Sequence, residues 1–542
     1  MSKFNNSKFS IILPLVIAVS ILFGTFIAEI FSVNNKDARI LFPQKKDKLD
    51  LIFDFIANEY VDSISKDKLI EIAIPKILES LDPHTVYISP EDAKSMQEEL
   101  VGDFEGIGIQ FNIFKDTLLI VNVIKNGPSE KAGLKAGDRI ICVDTTKIAG
   151  VGLKNEEVMR MLKGPAKTSV NLKILRKNNK QILNFEIIRD KIPLFSVDAF
   201  YKLAKNTAYI KITNFSANTH TQFVDAMFTL KDTGLDTIVL DLRDNSGGYL
   251  TTATDILDEF FPKDINLVYT EGRARNKQFV KSTDKRNYCK NMEIIVLINE
   301  FSASASEIVA GAIQDNDRGF IIGRRSYGKG LVQEATNFND GSTIRLTTSR
   351  YFTPSGRCIQ KPYQNGLDEY NFEVYNRYLK GEFLDKDSIK LNDSLIFYTK
   401  KNRPVFAGGG IMPDIFVPID TSGYTKTFGE ISRRNLDYIF SIEYVEKNRS
   451  QLENINSTNE ILVFLKQDAA LQKFYKYLVE NNVKVSQNDI AISGKYIENN
   501  LYAYIARQIL GDSSFYEIAN TIDPVIDTVM NVIRSNRKLI EK

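Results

Sequence analysis

The segment "TIVLDLRDNSGGYLTTATDILDEFF" constrains the fold more than any other in the chain. An apolar run from Ile238 to Leu242 has the length of a buried strand, Asn245 to Gly248 is turn chemistry, and apolar residues then recur at helical spacing to about Phe261. From Glu293 the segment "EIIVLINEFSASASEIVAGAIQD" repeats the plan. Two successive strand-turn-helix units predict a parallel sheet with helices packed on it and reactive loops beyond the carboxyl ends of its strands. The expected fold is an α/β core.

At 542 residues the chain is too long for one core, and its other parts are patterned differently. Ile11 to Ala28 is an uncharged stretch of 18 residues preceded by Lys3 and Lys8, enough to cross a bilayer core of ~30 Å. No A-x-A site follows it and no nearby cysteine is available for lipidation, so residues 1–31 are expected to form a membrane anchor, favoured over a cleaved signal, with the membrane contact through residues 11–31. Residues 32–100 read as helical, with Leu51, Ile52, Phe55 and Ile56 on one face. Residues 101–192 change to short strands and glycine turns ("GIGIQF", "LLIVNVI", "RIICVD"), a β-rich module. The core is expected over residues 193–423 and a helical extension without a chemical motif over 424–542.

Seventy basic residues against 68 acidic ones, with no polybasic run, argue against a nucleic-acid partner. Cys142, Cys289 and Cys358 are far apart in sequence, and neither a CxxC pair nor an HExxH motif is present, so no metal or other cofactor is expected.

Three serines alternate with alanines at the second strand-to-helix turn, as Ser302, Ser304 and Ser306. Ser304-x-x-Glu307 has the spacing of a capping box. The same turn suits a nucleophile, because free N–H groups at a helix start can hold an oxyanion. Spacing alone does not say which serine would attack. A nucleophile needs a base, and His84 ("LDPHTVYISP") and His220 ("SANTHTQF") both lie in segments with ordinary structural uses. Lys329, between Gly328 and Gly330 in "RRSYGKGLVQEA", is the alternative. On a strand, Lys329, Leu331 and Gln333 share a face, which lets Gln333 hold the amine. An amine that ordinarily titrates near ~10.4 has to be brought toward neutrality by burial, a differential cost of about 4 kcal/mol.

Taken together, "DLRDNSGG", "NEFSASASEIVAGAIQD", "SYGKGLVQ", "YFTPSGRCIQ" and "GGGIMPD" resemble the C-terminal processing peptidases, or tail-specific proteases, over roughly residues 45–420. The resemblance implies Ser304 as nucleophile, Lys329 as general base, Gln333 as its orienting partner and Asp315 as an associated acidic residue. It places the oxyanion donors at the backbone N–H groups of Gly247 and Ala305. Ser246 stands where the family usually has proline. In "MLKGPAKTSV", Lys163 and Lys167 replace an arginine and a glycine of a family motif.

"FEGIGIQF" and "VIKNGPSEKAGLKAGDRIICVD" resemble a PDZ domain, a module that takes an extended peptide along a sheet edge and holds its terminal carboxylate on backbone N–H groups. Gly106, Ile107, Gly108 and Ile109 fit that loop. The resemblance therefore implies an α/β peptidase core with an inserted PDZ-like domain, acting on proteins or peptides with free C-termini. It also implies a homodimer and a site of action in the bacterial cell envelope, anchored in the inner membrane. Two other readings remain at this point: a membrane-tethered PDZ scaffold or chaperone with an inactive core, and a core with non-peptide acyl chemistry.

Overall fold

In the computed structural model, Pro14, residues 17–25 and residues 47–535 are described, apart from 115, 153, 177–180, 232–233, 284, 287 and 391–392. Of the expected anchor, Pro14 and residues 17–25 are helical, and the rest lies outside the described residues. No helix among the described residues is long and apolar enough to cross a membrane.

Residues up to Ser80 form a unit of their own. It contains the helices Lys48–Glu59 and Lys66–Glu79. Lys66 Nζ ties them through Asp50 (2.9 Å) and Asp54 (3.0 Å), while Leu51, Ile52 and Phe55 are exposed.

The second unit, from Leu81 onward, is built on a six-stranded sheet. Its order is Val197–Ala204, Thr207–Ile212, Thr237–Asp241, Glu293–Ile298, Phe320–Gly323 and Ile415–Phe416. The first pair is antiparallel and the remaining pairs are parallel. Because successive side chains point to opposite faces, Ile238, Leu240, Ile294, Val296 and Ile298 meet the helices Thr219–Leu230, Leu250–Asp258 and Ala305–Asp315 in one core. Val239, Ile295, Leu297 and Ile322 face the other way, onto Val525, Ile526, Val529 and Val532 of the helix Pro524–Arg534. That last helix belongs to the stretch read as a C-terminal extension, yet it closes the second face of the core sheet. Residues between Ile431 and Ile518 meanwhile pack into a helical core of their own.

A second sheet is antiparallel. Thr343–Phe352 lies at its centre, paired with Val86–Ile88, Asn266–Gly272 and Leu331–Asn337. The helix Pro90–Val101 follows Val86–Ile88. It starts at Ser89, whose hydroxyl accepts from Asp92 N–H (3.3 Å), with Pro90 as first residue, and stops at Gly102, at φ +83°. The β-rich module is a sheet in the order Ile109–Phe114, Thr117–Val123, Arg139–Val143, Ser169–Leu175 and Leu183–Ile188, with Val158 and Leu162 of the helix Asn155–Leu162 in its core. Its entering and leaving segments, Asp103–Gly106 and Asp190–Pro193, pair with each other, as expected of a module inserted in the chain.

Candidate active site

The strand Glu293–Ile298, apolar after its first residue, ends at a turn that delivers Ser304 to the start of the helix Ala305–Asp315. Ser304 sits at φ 54°, ψ −112°, a conformation that costs a non-glycine residue about 1–3 kcal/mol and persists only where the surroundings enforce it. Glu307, wholly buried, supplies that enforcement. Its Oε2 accepts from the N–H groups of Ser304 (2.9 Å) and Lys329 (2.8 Å), and its Oε1 from Ser326 Oγ (2.6 Å) and Gly328 N–H (2.7 Å). Burial pushes this carboxyl up to about 7, against the pull of its hydrogen bonds. The capping-box spacing thus serves as a clasp between two loops. Its glutamate half is in place, but Ser304 Oγ caps nothing, and Glu307 N–H goes to the Ser304 carbonyl oxygen (2.9 Å).

The three serines are now distinct. Ser302 Oγ donates to Leu242 O (2.8 Å) and accepts from Asn299 N–H (2.9 Å), and Ser306 Oγ donates to Asn245 O (2.9 Å); both residues are fully buried. Ser304 alone of the three lines a cleft of about 1070 Å³, and no hydrogen bond occupies its hydroxyl among the described residues.

Lys329 lines the same cleft. Its side chain makes no hydrogen bond or ion pair with any described residue, Ser304 Oγ included. Burial, reinforced by the charge of Arg345, pushes the amine below its ordinary value, against Glu307 and Asp82. The Tyr351 hydroxyl lies between the carbonyl oxygens of Ser304 (3.1 Å) and Lys329 (2.5 Å), so both main chains are fixed from a second side.

Gln333 also lines the cleft but does not bond Lys329; its Nε2 donates to Thr347 Oγ1 (3.3 Å), which donates to Asp82 Oδ1 (3.0 Å). The expected shared face assumed an unbroken strand, whereas the strand begins at Leu331 and its pairing shifts register between Val332 and Gln333. Asp315 is not among the residues that line the cleft. It lies at the far end of the 11-residue helix, about 16 Å along its axis from Ser304. There Oδ1 pairs with Arg357 Nη2 (2.8 Å), both side chains wholly buried, and Oδ2 accepts from Ser355 N–H (3.1 Å) and Oγ (2.7 Å).

The glycine turn packs directly on the serine. A Cβ at Gly247 would stand 2.7 Å from Ser304 Cβ and 3.0 Å from Ala305 N, and one at Gly248 would stand 2.2 Å from Phe215 O. Ala305 N–H has no acceptor among the described residues. Gly247 N–H, expected to be free, donates to Asn245 Oδ1 (2.9 Å), whereas the neighbouring Gly248 N–H has no acceptor among the described residues. The strand before this turn is anchored by charge. Burial opposes ionisation of Asp241, but Arg243 and Lys211 hold it well below the usual carboxylate range, and Arg243 Nη1 also pairs with Asp523 (2.6 Å).

Neither histidine reaches the cleft. His84 Nε2 meets Tyr370 OH (2.7 Å) and His220 Nε2 meets Glu259 Oε1 (2.7 Å). Among the described residues no cluster of side chains could hold a metal ion.

In the β-rich module, Gly106 is in a strand, Gly108 has φ +75°, and the N–H groups of Ile107 and Gly108 have no acceptor among the described residues. Ile107 O is fixed by Ser129 N–H (3.0 Å) and Oγ (2.6 Å). Ile109 opens the strand Ile109–Phe114, which lies at the sheet edge. Its far end meets the C-terminal helices. Asn112 Nδ2 donates to Tyr438 OH (2.7 Å), Phe114 packs with Ile442, and Arg139, two strands over, pairs with Glu446 (2.9 Å).

Comparison with known proteins agrees with this architecture. Residues 206–368 match Peptidase family S41, residues 106–187 the PDZ domain, and residues 427–511 a family of unknown function, DUF8443. The carboxy-terminal processing protease CtpB of Bacillus subtilis (strain 168) is 38% identical over 320 residues, which cover 58% of this chain and 65% of that protein. The carboxy-terminal-processing protease of Bartonella bacilliformis is 39% identical over 316 residues, covering 57% of this chain and 71% of that one. A solved structure of the photosystem II D1 C-terminal processing protease aligns at TM-score 0.34 and 23% identity, over 69% of this chain and 94% of that one. Fold and sequence together define a serine-type peptidase architecture carrying a PDZ module. The chain belongs to the carboxy-terminal processing protease family. It spans 65% of the length of the Bacillus subtilis relative, just under two thirds.

Proposed function

We propose that the chain is a serine endopeptidase with a Ser304/Lys329 dyad, acting on polypeptides that its PDZ module captures by their C-terminal ends. The observation that carries this is the contrast among the three serines. Only Ser304 has an uncommitted hydroxyl, and it shares a cleft with a lysine whose amine is shifted toward the neutral form.

In the proposed reaction Ser304 Oγ attacks the scissile carbonyl carbon while Lys329 Nζ takes its proton. The oxyanion is held by Ala305 N–H and by the Gly247–Gly248 turn, where Gly247 N–H is shared with Asn245 and Gly248 N–H is open. The tetrahedral intermediate collapses, the C–N bond breaks, and the leaving amine takes the proton from the Lys329 ammonium. Water then hydrolyses the acyl-enzyme with Lys329 again as base. Gln333, its Nε2 engaged by Thr347, offers Oε1 to orient the ammonium. Asp315 acts at a distance, by fixing the end of the nucleophile's helix to Arg357. In the module, the open N–H groups of Ile107 and Gly108 and the edge strand after them support capture of a chain end by strand addition.

We also place the body of the chain in the bacterial envelope, tethered by residues 11–31, and infer a homodimer supported by the exposed Leu51, Ile52 and Phe55. Protease accessibility on intact spheroplasts and sedimentation equilibrium test these two statements. For the activity, mass spectrometry of fragments from casein is decisive. Protein from about residue 45 onward should generate them, and Ser304→Ala and Lys329→Ala should each abolish them while peptide binding persists. Digestion by either variant at the parent's rate would refute the dyad.

A further inference from the structure

The cleft floor is one face of the ladder between Leu331–Asn337 and Thr343–Phe352. The pairs Gln333 with Thr347, Ala335 with Arg345, and Asn337 with Thr343 repeat every second residue and therefore present side chains to the same side. Gln333, Ala335, Asn337, Thr343 and Arg345 all line the cleft, opposite the helix Pro90–Val101. Besides Arg345, the charged residues that line it are Lys329 and, on that helix, the exposed Lys94 and Glu99.

Arg345 is unusual within this protein. Most buried or part-buried arginines elsewhere have acceptors, as Arg357 has Asp315, Arg243 has Asp241 and Asp523, and Arg318 has the carbonyl oxygens of Phe260, Cys289, Lys290 and Met292. Arg345, half-buried in the cleft, donates to no described residue. A guanidinium stays charged at any physiological pH, carries five N–H donors in a planar fork, and matches a carboxylate in bidentate fashion. Its cross-strand partner Ala335 lies two residues beyond Gln333, about 7 Å along the floor, which is two residues of an extended substrate.

We propose that Arg345 is a specificity residue of the cleft, receiving a carboxylate of the polypeptide bound in the cleft that Ser304 and Lys329 also line. The inference rests on the peptidase reading for its meaning but not for its test. The carboxylate comes from an acidic side chain or from the chain end, and the two sources separate experimentally.

The test uses the full chain in detergent, carrying Ser304→Ala, and fluorescein-labelled peptides of fixed length. A single Glu or Gln is scanned through otherwise identical sequences, each made with a free and an amidated carboxyl end, and binding is read by anisotropy. At one scan position the Glu peptide should bind about tenfold tighter than its Gln twin. Arg345→Gln should erase the difference and Arg345→Lys should keep part of it, with unchanged circular dichroism in both. With Ser304 restored, the same preference should appear in KM more than in kcat. A difference that depends on Arg345 only between free and amidated ends assigns the chain end as source. If Arg345→Gln alters neither difference, or no difference exists, the proposal is overturned. If the difference exists and is lost in Arg345→Gln while the parent cleaves nothing, the peptidase reading fails and the carboxylate site stands.

Discussion

Glu307→Gln probes the clasp between the serine and lysine loops in a way that can be calculated. The wild-type carboxyl titrates at about 7 in the folded protein against 4.5 in the unfolded chain, because burial disfavours its charge. The folded state therefore binds this proton more tightly. Its contribution to stability is fully present below pH 4.5, is lost as pH rises through 7, and amounts to about 3 kcal/mol over that window. Glutamine resembles the protonated acid and does not titrate. Its oxygen can serve two of the four donors now held by Glu307, while its NH₂ faces the other two, a loss of about 1–3 kcal/mol for each donor stranded. That loss is independent of pH. Calorimetry of the α/β core at pH 5 and pH 8 should show the wild type falling toward the variant by roughly 6–12 °C in relative Tm, at about 2–4 °C per kcal/mol. Titration of other groups cancels in the comparison. A Tm gap that stays constant, or widens in favour of the wild type as pH rises, would refute a buried carboxyl of raised pKa.

Gly247→Ala should leave the circular dichroism spectrum intact yet lower peptide cleavage by about 10²-fold or more, since the new methyl meets Ser304 Cβ at 2.7 Å and the backbone is at φ +108°. Near-normal kcat would place the oxyanion loop elsewhere. Removing residues 524–542 takes away four buried aliphatic side chains worth about 1.5–3 kcal/mol each, a total comparable with the whole stability of a domain. The truncated chain should be insoluble or molten. A soluble, active product would contradict the packing of Pro524–Arg534 on the core sheet.

The parallel core was legible because strands buried on both faces read as apolar runs, and the turns after Leu242 and Ile298 carried their own chemistry. The β-rich module, read over 101–192, was legible because its glycines and proline mark turns between short strands. Glu307 was visible only as half a cap, since its other donors, Ser326, Gly328 and Lys329, lie 19 to 22 residues away and only tertiary folding brings them in. Gln333 was placed by strand alternation, and it does line the cleft with Lys329, although the strand starts only at Leu331 and its pairing shifts register at Val332. Asp315 sits one helix length from the serine it was grouped with. The role of Pro524–Arg534 was hidden because an amphipathic helix does not announce which sheet it will cover.

The central requirement is a lysine that is neutral when the serine attacks, so the pH dependence of kcat/KM for one peptide, in the parent and in Glu307→Gln, tests it most directly. The acid limb should level off below the ordinary lysine value of about 10.4 and should persist in the variant, because Lys329 rather than Glu307 sets it. A rate that keeps climbing tenfold per pH unit up to that value, or a limb that vanishes with Glu307, would contradict Lys329 as the base.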